Sequence, residues 1–345
     1  RETASGPYYN FILEYCRKKL GVFDDKQINY EVESVSDNHD EDKHLIKSNM
    51  NIVLFIGRFR SITGYGKATR DFFSALYGNK PKDYKVVGID SQNLNLLGDT
   101  EAVRGILNKS GDEIEIVPVD VSSIIHVIFH ELCDSFNKVV ANGKSTYSAW
   151  TIHEHPSMIF GKDKFLGLPQ HIYVASQWNK SLLMDRGYTS DFISVIPHIS
   201  PINRVDRFNQ MSSGGVKFLA IMSNVERKNI RSILSAFISI SEMEIGHNII
   251  LTLKIPQGLS DKDIQNKVLP SGISALSALP SCIQVIQDKY TDAEMHHLIE
   301  SHDCIINVET LKGFDLDSLY SLSCGKQSIA TLSGGNVEYQ SQKNS

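Results

Sequence analysis

Three short motifs in this 345-residue chain combine residue types that could do chemistry. Arg227 and Lys228 stand just before a helix starting near Asn229, so fixed positive charge meets the end of a helix that favours anions. A solvated helix start is the plainer alternative. Gly64-Tyr65-Gly66 follows an apolar run and opens a helix, and Gly313-Phe314 opens another. Glycine at such places lets backbone N–H groups approach an anion at a helix N-terminus, although a turn needing glycine for its backbone alone is the alternative at both. The spacing is not GxGxxG and no GK[ST] follows, so a dinucleotide fingerprint and a P-loop are both missing.

The histidines point to no metal. His126, His130 and Glu131 lie in HVIFHE, which is not HExxH and sits in a β-rich run, so core or surface positions are expected. His296, His297 and His302 lie on or after an amphipathic helix and read as solvated. His153 and His155, in WTIHEHP, follow an apolar run at a predicted strand end, where a packed or exposed structural His is the usual case. Ser176, Cys133 and Cys324 lack a nucleophile elbow or a Cys/His signature, so covalent hydrolase chemistry is unsupported.

The elements that must position these residues show in the periodicity. NIVLFIG from Asn51 is a continuous apolar run of strand length, as in a strand buried on both faces of a parallel sheet. Ala68, Phe72, Ala75 and Leu76 then recur at helical spacing, closed by Gly78. Alternation continues through KVVGID, IEIVPVDV, SIIHVIFHEL, YSAWTIHEH, HIYVAS with the helix NKSLLMDRG, and FISVIP. From Pro201 to Gly215 the pattern lapses into polar residues, Ser and Gly, which predicts a hinge. A second series follows: KFLAIM, NIRSILSAFISISEM, IILTLKIP, IQVIQD, TDAEMHHLIESH, CIINVE, LDSLYSLSCG and SIATLSGG. Thr291 and Glu294 form a capping box. The division is therefore an N-terminal appendage and acidic linker over 1–47, one Rossmann-like domain over 48–200, a hinge over 201–215 and a second domain over 216–345.

Composition narrows the class. A formal charge of −5, from Lys+Arg 35 against Asp+Glu 40, leaves no electrostatic footprint for nucleic acid. No apolar stretch approaches the ~18–20 residues of a membrane span, and the start lacks a signal-peptide pattern. Five scattered cysteines without CxxC spacing predict reduced core residues, a reducing compartment and a cytoplasmic location. The first residue is Arg1 rather than Met, so a piece of something longer is expected.

Several segments together resemble the retaining glycosyltransferases of the GT-B fold, the large group 1, family 4-like class. The resemblance runs from about Asn51 to Glu338 in that family's order. IYVASQWNKSLLMDRGYTSDFISVIPHISP looks like the stretch where a Ser-aromatic pair closes a strand, a helix ends in Gly and a strand ends in Pro-His. KFLAIMSNVERKNIRSILSAF looks like the first strand and helix of the donor domain. YTDAEMHHLIESHDCIINVETLKGFDLDSLYSLSCGKQSIATLSGGNVEY looks like the signature region, whose usual pattern is Glu-Gly-Phe-Gly-Leu-Pro, then Glu-Ala-Met-Ala-x-Gly, then Gly-Gly.

The resemblance implies an α/β, GT-B-like fold, two Rossmann-like domains facing a cleft, the second cut short before its closing strands and terminal helix. It implies sugar transfer with retention from a nucleotide-diphosphate donor to a glycan or lipid-linked acceptor, as in polysaccharide biosynthesis. No cofactor and no metal are implied, the nucleotide-sugar being substrate. Peripheral membrane contact and further domains of a longer chain are allowed as partners. Arg227 and Lys228 would offset the diphosphate as the sugar–phosphate bond breaks, with Gly64, Gly66, Gly313 and Phe314 offering amides. His153 would meet the sugar opposite the donor phosphate.

Two departures divide the functional reading. Lys312 and Tyr320 stand where the family has Glu residues, the first touching the transferred sugar and the second the ribose. Lys accepts no hydrogen bonds, and a phenol offers one hydroxyl where a carboxylate accepts two. Asp315 and Asp317 also replace the usual Gly and Pro. Either the chain is an enzyme whose site is rebuilt around Lys312, with its ammonium near the diphosphate, or it is a degenerate domain that binds without turnover. In the second case restoring Glu at both positions should change neither binding nor stability much beyond ordinary surface effects of ~0.5 kcal/mol. An NAD-dependent oxidoreductase is a weaker third reading, lacking GxGxxG and a ribose-binding acid at the expected distance.

Overall fold

The computed structural model describes residues 50–61, 63–130, 139–142, 144–152, 169–200, 215–222, 228–243, 248–309 and 312–341. The appendage over 1–47, the hinge apart from Gly215, and Glu131, Cys133, His153, His155 and Arg227 lie outside the described residues.

The element order is β1 (Asn51–Gly57), α1 (Gly64–Asn79), β2 (Tyr84–Asp90), β3 (Leu96–Gly98), β4 (Val103–Leu107), β5 (Ile114–Pro118), β6 (Ile124–His130), β7 (Val139–Ala141), β8 (Lys144–Thr151), β9 (His171–Val174), α2 (Gln177–Asp185) and β10 (Ile193–Val195). The second series is β11 (Val216–Ile221), α3 (Ile230–Ser241), β12 (Ile249–Lys254), β13 (Ile283–Ile286), α4 (Asp292–Glu300), β14 (Cys304–Asn307), α5 (Leu316–Ser323) and β15 (Gln327–Ala330). Between β12 and β13 a turn at Asp261–Asp263 runs into a π-helical segment, Ile264–Val268.

Among the described residues the strands form three sheets, ordered β10-β9-β8-β6-β1-β2-β3, β13-β12-β11-β14-β15, and β4-β5-β7. By compactness the chain divides into Arg1–Ile56, Phe73–Phe129 and Cys133–Ser148 as one unit, and Gly57–Phe72, His130–Leu132 and Ala149–Ser345 as the other.

In the first unit β1 and β6 run parallel, Asn51 opposite Ile124 through Ile56 opposite Phe129. Ile52 through Ile56 are all buried, as an unbroken apolar run requires. One expectation is corrected here. IEIVPVDV does not continue the parallel series; its strand β5 pairs antiparallel with β4 and parallel with β7 in a separate sheet. The partner strand, VRGIL, carries an Arg and a Gly and is exposed beyond Val103, so it shows no buried run to read.

In the second unit the five-stranded sheet is parallel at every pairing. On one face α3 lays Ile230, Ile233, Leu234 and Phe237, at helical spacing, over Leu251 and Leu253 of β12, with Ile264 and Val268 beside them. On the other, Ile299 of α4, Tyr320 of α5 and Cys324 at the C-cap of α5 pack on Leu219 and Ile305. Each such buried side chain contributes about 1.5–3 kcal/mol of transfer free energy. The capping box forms as expected, with the Thr291 hydroxyl accepting from the Glu294 amide and the Glu294 carboxylate accepting from the Thr291 amide at 2.7 Å. His302 departs from its solvated reading: it is buried, with Nε2 2.7 Å from the Thr252 hydroxyl and Nδ1 2.6 Å from the Leu298 carbonyl. Among the described cysteines Cys304 and Cys324 are buried and free. No helix among the described residues is long and apolar enough to cross a membrane.

Candidate functional site

Strand order locates the site. In β13-β12-β11-β14-β15 the chain builds outward from β11 on one side and returns on the other at β14, so the topology switches between these two strands. In open α/β sheets ligands bind beyond the carboxyl ends of the strands at that switch. Lys228 lies beyond β11, and Glu309 and the turn Lys312–Asp315 lie beyond β14.

The turn is held through its carbonyl oxygens. Ser176 Oγ and Asn179 Nδ2 donate to the Gly313 carbonyl at 3.0 and 3.2 Å. The Gly335 amide donates to the Lys312 carbonyl at 2.9 Å. Tyr339 donates to the Phe314 carbonyl at 2.8 Å and also to that of Asp315. The amides of Gly313, Phe314 and Asp315, in contrast, meet no acceptor among the described residues. Asp315 takes φ 74° at the N-cap of α5, and its carboxylate accepts from the Ser318 amide at 3.1 Å and the Ser318 hydroxyl at 2.6 Å. Successive amides around a left-handed residue at a helix start make a concavity suited to an anion.

Both lysines of the site are internally paired. Lys312, 2% exposed, donates to Asp315 Oδ2 at 2.7 Å and to the Asn307 carbonyl, so its ammonium serves the N-cap of α5. Lys228 Nζ lies 2.7 Å from Asp317 and 3.0 Å from Glu309. Burial by itself would lower the Lys228 pKa, but Asp317 and Glu309 outweigh it and hold the group protonated well above its ordinary range.

The start of α1 reaches the same neighbourhood. A Cβ on Gly64 would lie 3.6 Å from Leu316 Cδ1, the first residue of α5, and a Cβ on Gly66 would collide with the Ser61 carbonyl. Arg70 donates to the Phe59 and Ser61 carbonyls, both at 2.7 Å, and to the two carboxylate oxygens of Asp292, both at 2.8 Å. One turn along, Tyr320 donates to Asp71 at 2.8 Å, and Lys67 Nζ sits 4.6 Å over the Tyr320 ring and 3.2 Å from Asp71. Burial raises the Asp71 pKa, against the pull of Lys67 and Tyr320. Burial, then Asp71, pushes the Tyr320 phenol far up.

A file of rings joins the end of β6 to the turn. His130 stacks on Trp150 at 4.4 Å, His198 meets Trp150 edge-on at 4.7 Å, and Phe314 meets His198 edge-on at 5.0 Å. Burial pushes the His130 imidazole down to about 3, and His198 falls well below its ordinary value for the same reason. The Thr69 hydroxyl donates to the Tyr65 carbonyl at 3.0 Å, which assigns the Nδ1 proton of His130, 2.9 Å away, as the donor to Thr69.

Of the residues expected from sequence, Lys228, Lys312, Gly313, Phe314 and Tyr320 gather at α5, and Gly64 lies beside its first residue. Ser176, Asn179, His198 and Tyr339 were not singled out for a role, nor were Arg70, Asp71 and Asp292. The Ser-aromatic and Pro-His pairs marked the segments of Ser176 and His198, whereas nothing local ties Arg70 to Asp292. Among the described residues no group of three or more His, Cys, Asp or Glu is placed to hold a metal ion.

No family model and no curated protein matches the chain. Solved structures do. Anabaena Alr3699/HepE in complex with UDP and glucose aligns at TM-score 0.53 with 10% identity, covering 84% of this chain and 83% of that one. The same protein in complex with UDP-glucose gives 0.52 with 11% identity, over 84% and 83% of the two chains. OtsA in its apo structure gives 0.51 with 10% identity, over 84% and 86%. The fold is GT-B-like. At such identities the likeness carries the fold: a mixed α/β chain with parallel sheets of Rossmann-like topology.

Proposed function

We propose that the chain is a glycosyltransferase that moves a sugar, with retention and without a metal ion, from a nucleotide-diphosphate donor to a glycan or lipid-linked acceptor. The observation that supports it is the Lys312–Asp315 turn, whose carbonyls are all consumed while the amides of Gly313 and Phe314 are left without acceptors at the start of α5. Such amides stabilise charge that grows on a leaving diphosphate, at no cost in reorganisation. In this reading Gly64 and Gly66 bring the start of α1 to the same anion, Lys228 orders the acids around it, Arg227 adds charge to the diphosphate, and His153 meets the sugar. Anabaena HepE, which shares the fold, holds UDP-glucose in its own structure.

The test is transfer itself. Release of nucleoside diphosphate is measured against a panel of nucleotide sugars and acceptors in EDTA, with the anomer of the product read by NMR. Turnover with retained configuration is expected. Loss of turnover in EDTA restored by Mn²⁺ would remove the metal-free mechanism, and an inverted product would remove retention.

A second reading, a degenerate domain that binds without turnover, is favoured by Lys312 and Tyr320. Both are buried and satisfied inside the protein, by Asp315 and by Asp71. Binding of a nucleotide sugar with no transfer to any acceptor would select it.

A further inference from the structure

Three charged or polar residues on one face of α1 engage the helices that carry the site. Lys67, Arg70 and Asp71 follow the i, i+3, i+4 spacing of neighbours on a helix surface. Arg70 spends two N–H groups on Asp292, in the first turn of α4, and donates through Nη1 to the carbonyls of Phe59 and Ser61. Asp71 accepts from Tyr320 of α5, and Lys67 covers that ring. His296 of α4 meets the same ring edge-on at 5.8 Å.

The placement has an electrostatic cost. α1 and α5 begin side by side at Gly64 and Leu316, and helix N-termini each carry about half a positive charge, so their starts repel in the absence of an anion. The carboxylates of Asp292 and Asp71 lie among the groups that join these helices, and a bidentate guanidinium fixes angle as well as distance. We propose that Arg70 is a positioning residue: its clasp to Asp292, seconded by Asp71 and Tyr320, holds the Phe59–Ser61 segment so that the start of α1 is set against the start of α5 for an anionic ligand. The ligand class, a nucleoside diphosphate or its sugar ester, rests on the function proposed above; the clasp on the loop does not.

The full chain and the variants Arg70→Ala, Arg70→Lys and the exchanged pair Arg70→Asp/Asp292→Arg are compared by two measurements. Hydrogen exchange reads the loop alone. Faster exchange at Phe59–Gly66 in Arg70→Ala, with β11 and β12 unchanged, is expected, and unchanged loop exchange in a folded Arg70→Ala would overturn the clasp. Titration with UDP and with inorganic pyrophosphate reads the coupling: Arg70→Ala should bind UDP at least about fivefold more weakly than wild type, the lower end of ordinary coupling between sites. Arg70→Lys, which keeps charge and loses the fork, should fall between, and the exchanged pair, which restores the ion pair but leaves the Phe59 and Ser61 carbonyls without a donor, should not recover the loss. Wild type that binds neither probe counts against the nucleotide reading and leaves the exchange result to decide the clasp. Wild type that binds UDP, with Arg70→Ala binding equally well, would refute the positioning role.

Discussion

Gly335 packs so tightly against Gly313 that a Cβ placed on it would strike the Gly313 carbonyl oxygen and come within 2.7 Å of Ser176 Oγ. Its neighbour Gly334 has φ 85°, where a Cβ would strike the Lys312 carbonyl. The turn that starts α5 is thus backed by bare backbone. Gly335→Ala is expected to destabilise by about 1–3 kcal/mol, the range for overpacking, as read from urea midpoints. Gly78→Ala, on the exposed side of α1 with nothing within 4 Å, is the control and should stabilise by about 0.5–1 kcal/mol.

Lys228 is the partner of two acids, of which Glu309 is 3% exposed. Lys228→Ala leaves that carboxylate buried with its ammonium partner removed. A loss of about 3–5 kcal/mol is expected from breaking a buried pair on one side. Combining it with Glu309→Gln should recover part of the loss; an additive double variant would show that the pair is not coupled.

Lys312 revises an expectation drawn from the resemblance. Replacing it by Glu cannot be a surface change of ~0.5 kcal/mol, since the residue is 2% exposed and its ammonium neutralises Asp315. Lys312→Glu sets two buried carboxylates against each other, and a loss above about 3 kcal/mol is expected. Lys312→Glu with Asp315→Gly removes the repulsion and should be the better tolerated of the two, measured by thermal melting.

Alkaline pH should weaken the fold through its thiols. Burial pushes Cys304 and Cys324 each up to about 11, whereas an unfolded thiol ionises near ~8.5. The folded state therefore keeps protons that the unfolded state has released. Stability is fully present below the unfolded value and is lost as pH rises towards 11. Burial likewise raises Tyr84 to about 12, which extends the loss upward. Urea midpoints from pH 7.5 to 10.5 should fall, and the slope should flatten in Cys304→Ala, whatever that substitution costs at neutral pH.

What was legible in the sequence was the part with short-range signals. Strand β1 showed as an unbroken apolar run, α3 as a helical stripe, and α4 by a cap contained within four residues. The positions of Lys228, Gly313 and Phe314 at strand ends followed from the same alternation. Strand β4 was missed because its exposed Arg and Gly give no period. The long-range partners were missed for a different reason. Lys228 meets Asp317 across 89 positions, and Tyr320 meets Asp71 across 249, so the sequence shows the charges but not which pairs cancel. Burial decides that, and burial is a property of the assembled sheet.

The clasp between Arg70 and Asp292 spans 222 positions of chain. On a ribosome, at about 5–20 residues per second, roughly 10–45 seconds pass between the appearance of one partner and the other. Through that interval the Arg70 guanidinium has no Asp292 carboxylate to meet. A nascent chain paused anywhere before α4 would carry β1 and α1 with Arg70 able to reach only the Phe59 and Ser61 carbonyls, so the clasp at the start of α1 closes only after α4 has been made.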